Sequence, residues 1–184
     1  MRVFRIVMPV LLLFALGSPA VSAGNDPMNK QVPIQGTVVG ADTIDFAATD
    51  CELDFVPEGW FPYRFTTEGT GNVSHLGKVD FVLDNCSAIK PDFTAGVIGY
   101  GTITFTAANG DVLAIEHEGT TKATGPGEFT ANYMWQIPGD EGTGRFEGAT
   151  GKGTSIGLTS VPDGTSKITL RGMIAYDASN RSTR

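Results

Sequence analysis

The chain has 184 residues, with 13 lysines and arginines against 20 aspartates and glutamates, 24 glycines and 10 prolines, for a formal net charge of −7 at pH 7. One domain is the default at this length, and so much glycine and proline is hostile to long helices. The acidity repels phosphate backbones and anionic membranes at long range and argues against nucleic acid as a partner. Because the acidic residues are scattered and form no block, their main consequence is solubility.

Residues 1 to 23 read as a secretory signal peptide. Arg2 and Arg5 form the basic region, Ile6 to Leu16 the apolar core, and Val21-Ser22-Ala23 the small-residue cleavage site. An apolar core of about 11 residues is too short for the roughly 20 that span a bilayer, and no later stretch approaches that length. The expected product is secreted or periplasmic, begins near Gly24 and does not insert into a membrane. Removing Arg2 and Arg5 from the 13 basic residues leaves 11 against 20 acidic ones, a charge of about −9.

Beyond the leader the periodicity is two. Ile34 to Val39 and Pro62 to Glu68 are the first two predicted strands. Val73 to Asn85 follows, with Val73, His75, Gly77, Val79, Phe81 and Leu83 on one face. Ala95 to Ala107 and Asp111 to Lys122 flank Asn109-Gly110, a strong hairpin signal because both residues tolerate positive φ. Glu128 to Ile137 places Phe129, Ala131, Tyr133, Trp135 and Ile137 together, and Gly153 to Val161 and Thr165 to Tyr176 flank Pro162-Asp163-Gly164, another turn.

About eight strands joined as adjacent hairpins, each with one apolar face, bury that face either by closing into an antiparallel barrel or by folding into a two-sheet β-sandwich. Closure also removes the edges that invite aggregation, and alternating small and large inward residues suit a small barrel, which favours the barrel. The expected organisation is one β domain over residues 24–176, followed by a frayed polar tail over 177–184. The only two cysteines, Cys51 and Cys86, lie in the exported part. An even count in an oxidising compartment favours one disulfide over buried thiols or a metal pair.

The stretch Gly142-Thr-Gly-Arg-Phe-Glu-Gly-Ala-Thr-Gly151 spaces glycines around a lone aromatic, Phe146, which is placed to plug the core between backbone corners. On this stretch the chain resembles the allene oxide cyclase and dirigent barrel-like superfamily, whose members carry a similar Gly-x-Gly-x-Phe-x-x-Ala/Val-x-Gly run. The stretch Thr70-Gly-Asn-Val-Ser-His-Leu-Gly-Lys78 is similar to a box in exported bacterial proteins with the same late glycine-rich run. The resemblance implies an eight-stranded antiparallel barrel. Gly142, Gly144, Phe146, Gly148, Ala149 and Gly151 carry over, and in the family these residues serve the backbone. Allene oxide cyclases direct the cyclisation of a fatty-acid epoxide in an apolar cavity, and dirigent proteins steer the coupling of phenoxy radicals. Neither family's functional polar residues align on this chain.

His75 and His117, the only histidines, fall on the same faces as apolar neighbours. Each is a candidate proton carrier in a barrel lumen or a core residue with one hydrogen bond. Trp60, Phe61 and Tyr63 crowd a segment bounded by Pro57 and Pro62, as the mouth of an apolar pocket or as a plug sealing one end. Asn72-Val-Ser74, Asn85-Cys-Ser87 and Asn180-Arg-Ser182 match the glycosylation sequon. No nucleophile elbow, phosphate-binding loop or zinc-protease helix occurs, no cofactor or metal site is indicated, and non-enzymatic function is favoured. The expectation is a β-barrel that binds a small apolar or aromatic ligand. The alternatives are a cyclase- or dirigent-like protein orienting a reactive substrate, and an envelope scaffold or partner-binding protein.

Overall fold

The computed structural model describes residues 30–48, 50, 51, 53 and 56–178, so the expected signal peptide and residues 179–184 of the expected tail lie outside the described residues. Eight antiparallel strands run in sequence order: β1 (Val32–Asp45), β2 (Phe61–Val73), β3 (Gly77–Ile89), β4 (Ala95–Ala107), β5 (Val112–Gly125), β6 (Glu128–Gln136), β7 (Thr150–Ser160) and β8 (Thr165–Ala175). Each pairs with its neighbour and β8 pairs back to β1, so the sheet closes into a barrel and the sandwich alternative falls.

Alternation decides which side chains enter. Val79, Phe81 and Leu83 of β3 are buried inside, while Lys78, Asp80 and Val82 between them are exposed. The lumen is narrow, and its largest residues fit only where neighbouring strands carry no side chain. Trp135 on β6 lies over Gly153 of β7 and Gly172 of β8, where an added Cβ would come within 2.4 Å of the indole. Big-over-small packing of this kind fills the barrel around Trp135.

The expected strand from Val73 to Asn85 needs correction. Val73 ends β2, Ser74 to Leu76 form the turn, and β3 starts at Gly77. His75 sits in that turn at φ 70°, with Ser74 N donating to Gln35 O at 2.8 Å and Leu76 N to Val73 O at 3.1 Å. The Leu76–Val73 turn bond and the Ser74 bond to β1 replace the β3 ladder that continued alternation had implied.

The glycine-rich run between β6 and β7 crosses one end of the barrel as a single 3-10 turn over Gly144–Phe146. Phe146 and Ala149 are fully buried, and the Phe146 ring lies 5.1 Å from that of Tyr176. Gly142 and Gly151 abut the Phe146 and Met173 carbonyls, and Gly144 and Gly148 take φ of 60° and 67°. Gly144 is constrained twice: a Cβ there would also fall 2.1 Å from Oδ1 of Asp111, a carboxylate only 3% exposed that pairs with Arg145 Nε at 3.0 Å. Gly164 shares the left-handed backbone, at φ 61°, but has nothing within 4 Å of its Cβ position. Both alanine variants therefore carry backbone strain, and Gly144→Ala adds an overpacking cost of about 1 to 3 kcal/mol. Its melting temperature is expected to fall below that of Gly164→Ala by about 3 to 10 °C. Equal melting temperatures would mean that the carboxylate moves aside freely.

Cys51 and Cys86 are disulfide-bonded, with Cα atoms 5.3 Å apart. Cys86 points outward from β3 at an irregularity: the β3–β4 register passes from Asn85↔Gly101 to Ser87↔Ile98, leaving Gly99 and Tyr100 opposite one residue. The bond fastens the β1–β2 connection to the outer wall, where Leu53 Cδ2 lies 2.3 Å from the position a Gly99 Cβ would take. Arg64 of β2 reinforces the attachment. Its Nε donates to Asp84 at 2.8 Å, its Nη2 reaches the other Asp84 oxygen, and its Nη1 donates to Asp50 at 2.7 Å. The guanidinium hydrogen bonds hold the Asp84 carboxyl below the usual carboxylate range.

Candidate ligand cavity

The end opposite Phe146 is open. Its turns join β1 to β2, β3 to β4, β5 to β6 and β7 to β8, and inside them lies a cavity of about 470 Å³, within the range of small-molecule sites. Six aromatic residues wall it: Phe46, Tyr63, Phe65, Phe93, Phe129 and Tyr133. Phe46 and Tyr63 face each other at 5.4 Å between ring centroids. Phe93 sits at the rim at φ 56° and 48% exposed, on a turn where Asp92 accepts hydrogen bonds from the Thr94 N–H and hydroxyl.

Polar groups are few and set deep. Asn85 and Ser87 enter from β3 and Thr121 from β5. Burial pushes the Tyr63 and Tyr133 phenols upward, so both stay protonated near neutrality. On β1, the half-buried Asp42 accepts hydrogen bonds from Thr67 and Ser166, each at 2.8 Å, and desolvation raises its carboxyl despite them. Among the described residues no three His, Cys, Asp or Glu side chains group closely enough to hold a metal ion.

The structure separates the residues singled out from sequence. Tyr63 lines the cavity. Its neighbours Trp60 and Phe61 are absent from the lining: Trp60 lies under the Lys90 ammonium, 5.9 Å from the ring centroid, and Phe61 is 47% exposed. His75 is at the opposite, plugged end. One tautomer satisfies both its contacts, Nε2–H donating to Pro33 O at 2.9 Å and Nδ1 accepting from the Tyr176 hydroxyl at 3.1 Å. The idea of one site shared by all five residues is therefore corrected. Alternation tells which side of the wall a residue faces and not how far along the barrel axis it lies.

His117 is inside, deeper than the cavity lining. It is 3% exposed, its ring meets Tyr133 edge-on at 5.0 Å, and neither nitrogen has a protein partner. Burial lowers its pKa to about 4, so it is neutral at pH 7. A depressed histidine contributes stability that is complete above the unfolded value near 6.5 and is lost as pH falls through the folded value. Unfolding free energy should thus drop by about 2 to 3 kcal/mol between pH 7 and pH 4 through this residue. Urea titrations of His117→Met should show a flatter acid limb, and an unchanged limb would remove His117 as its cause.

Sequence reasoning did not single out Asn85, Ser87 or Thr121 as site residues. Their signal was present: each is a polar residue at an inward position of a strand with buried apolar residues deeper along the same face, Phe81 and Leu83 on β3, Leu113 and Ile115 beyond His117 on β5. Asn85 had been noted only as a sequon, and with the residue 3% exposed and facing inward, the folded barrel offers no access for a glycan there.

No protein-family model, curated protein or solved structure matches the chain. Among the described residues no helix is long and apolar enough to cross a membrane. The disulfide fits an oxidising compartment.

Proposed function

We propose that this is an exported carrier or binding protein that holds a small apolar or aromatic molecule in the open end of its barrel. The aromatic-walled cavity of about 470 Å³, with a few polar groups at depth, carries this reading. That mixture buries a ligand while fixing its orientation. Residues 1–23 and the disulfide support an exported setting.

A second reading, of the allene oxide cyclase or dirigent type, is supported by the eight-stranded closed barrel together with the Gly142–Gly151 run. There the pocket would act by orienting a reactive substrate and excluding water, with Asp42, whose charge acts on Tyr133 in the wall, as a candidate proton acceptor. A carrier returns its ligand unchanged, whereas an orienting catalyst does not.

The test is titration with the neutral apolar dye N-phenyl-1-naphthylamine. Saturable one-site fluorescence enhancement is expected, weakened by about ten-fold or more in Ala123→Trp, which fills the cavity near its mouth. An unaffected titration in a folded Ala123→Trp protein would place binding elsewhere and sink the cavity reading.

A further inference from the structure

We propose that the cavity selects uncharged ligands carrying a hydroxyl, paired at Asn85, and that it rejects carboxylates. The inference rests on the carrier reading and specifies its ligand.

Asn85 is 3% exposed and donates from Nδ2 to Ser87 Oγ at 2.6 Å, while its Oδ1 has no protein partner. Turning the amide over would leave the NH₂ unpaired instead. Thr121 Oγ1 is also buried without a partner. Both residues line the cavity, on strands that flank β4. Glycines on β4 make room for them: a Cβ on Gly101 would fall 2.3 Å from Asn85 Cβ, and one on Gly96 would fall 2.5 Å from Thr121 Oγ1. The wall thus keeps two buried oxygens, Asn85 Oδ1 and, nearer the mouth, Thr121 Oγ1, without a protein hydrogen-bond partner.

A buried polar group left unpaired costs about 1 to 3 kcal/mol, so a ligand that pairs it gains that much over one that does not. A hydroxyl donates and accepts at once and so satisfies either arrangement of the Asn85 amide. A carboxylate has no donor for Asn85 Oδ1. No lysine, arginine or histidine lines the cavity; Asp92 stands at its rim, Asp42 acts on Tyr133 in the wall, and the one basic group on the rim turn, Lys90, acts on Asp92. An anion in the slot would lose its hydration and meet no opposite charge in the lining.

The test is displacement of N-phenyl-1-naphthylamine at pH 7 by three compounds of matched shape: 4-biphenylmethanol, 4-methylbiphenyl and biphenyl-4-carboxylate. The alcohol is expected to bind about ten-fold tighter than the methyl compound, and the carboxylate weakest of the three. Asn85→Leu should bring the alcohol to within about two-fold of the methyl compound, while Thr121→Val, which lies two strands away and four residues nearer the mouth in register, should leave the preference in place. A carboxylate that binds as tightly as the alcohol, or a preference that survives in Asn85→Leu, overturns the assignment. If the dye binds and none of the three displaces it, the ligand class falls and the carrier reading stands. If the dye itself does not bind, both fall.

Discussion

Phe146→Ala is expected to destabilise the barrel by about 3 to 5 kcal/mol, the usual cost of emptying a fully buried phenylalanine site. Phe146 is fully buried, packs its ring 5.1 Å from Tyr176, and carries the Arg145 guanidinium 5.2 Å from its ring centroid. The site collapses poorly, because the surrounding backbone is held by Gly144 against Asp111 and by closed ladders on both sides. At a few degrees per kcal/mol, the melting temperature should fall by about 10 °C or more. Dye binding at the far end of the barrel should change by less than about two-fold, since the two ends share no lining residue. A loss below about 1 kcal/mol would mean that the turn covers the barrel end without packing into it.

The second large effect concerns the cross-link. Cys51→Ala/Cys86→Ala opens a bridge between residues 35 apart in sequence, and the chain-entropy model assigns such a bridge about 3 to 4 kcal/mol. The melting temperature is expected to drop by about 10 °C with far-ultraviolet circular dichroism unchanged, because ring closure through β1 and β8 needs no help from the bond. Arg64 still tethers Asp50 in that variant, so the connection stays close to the wall. Loss of the strand spectrum would instead show that the bond is required for closure.

The strands were legible because their apolar residues alternate and their turns carry glycine, asparagine and proline: Gly110 at φ 85° and Gly164 at φ 61° occupy the conformations those motifs predicted. Phe146 was legible as a plug for the same reason, since glycines beside a lone aromatic leave it nowhere to go but inward. The Ser74–Leu76 turn was hidden because Val73, His75 and Gly77 keep the alternating rhythm straight through it. Height along the barrel was hidden too. It follows from register, such as Asn85↔Gly101↔His117, which depends on pairings between strands and not on any one segment. Hence His75 and Tyr63, read as members of one site, belong to opposite ends. The cavity's own polar residues passed unnoticed because a single asparagine or threonine in an apolar strand resembles an ordinary interruption.

The Phe146 plug also bears on the proposed carrier role. With one end packed by Phe146 and Tyr176 and the other open, the barrel is a cup and not a conduit. On the carrier reading a ligand leaves by the route it entered, so loading and unloading share one face. Residence time is then set at the rim, where Phe93 and Phe46 stand 48% and 57% exposed. A carrier of this shape would have to turn that one mouth toward donor and recipient in succession.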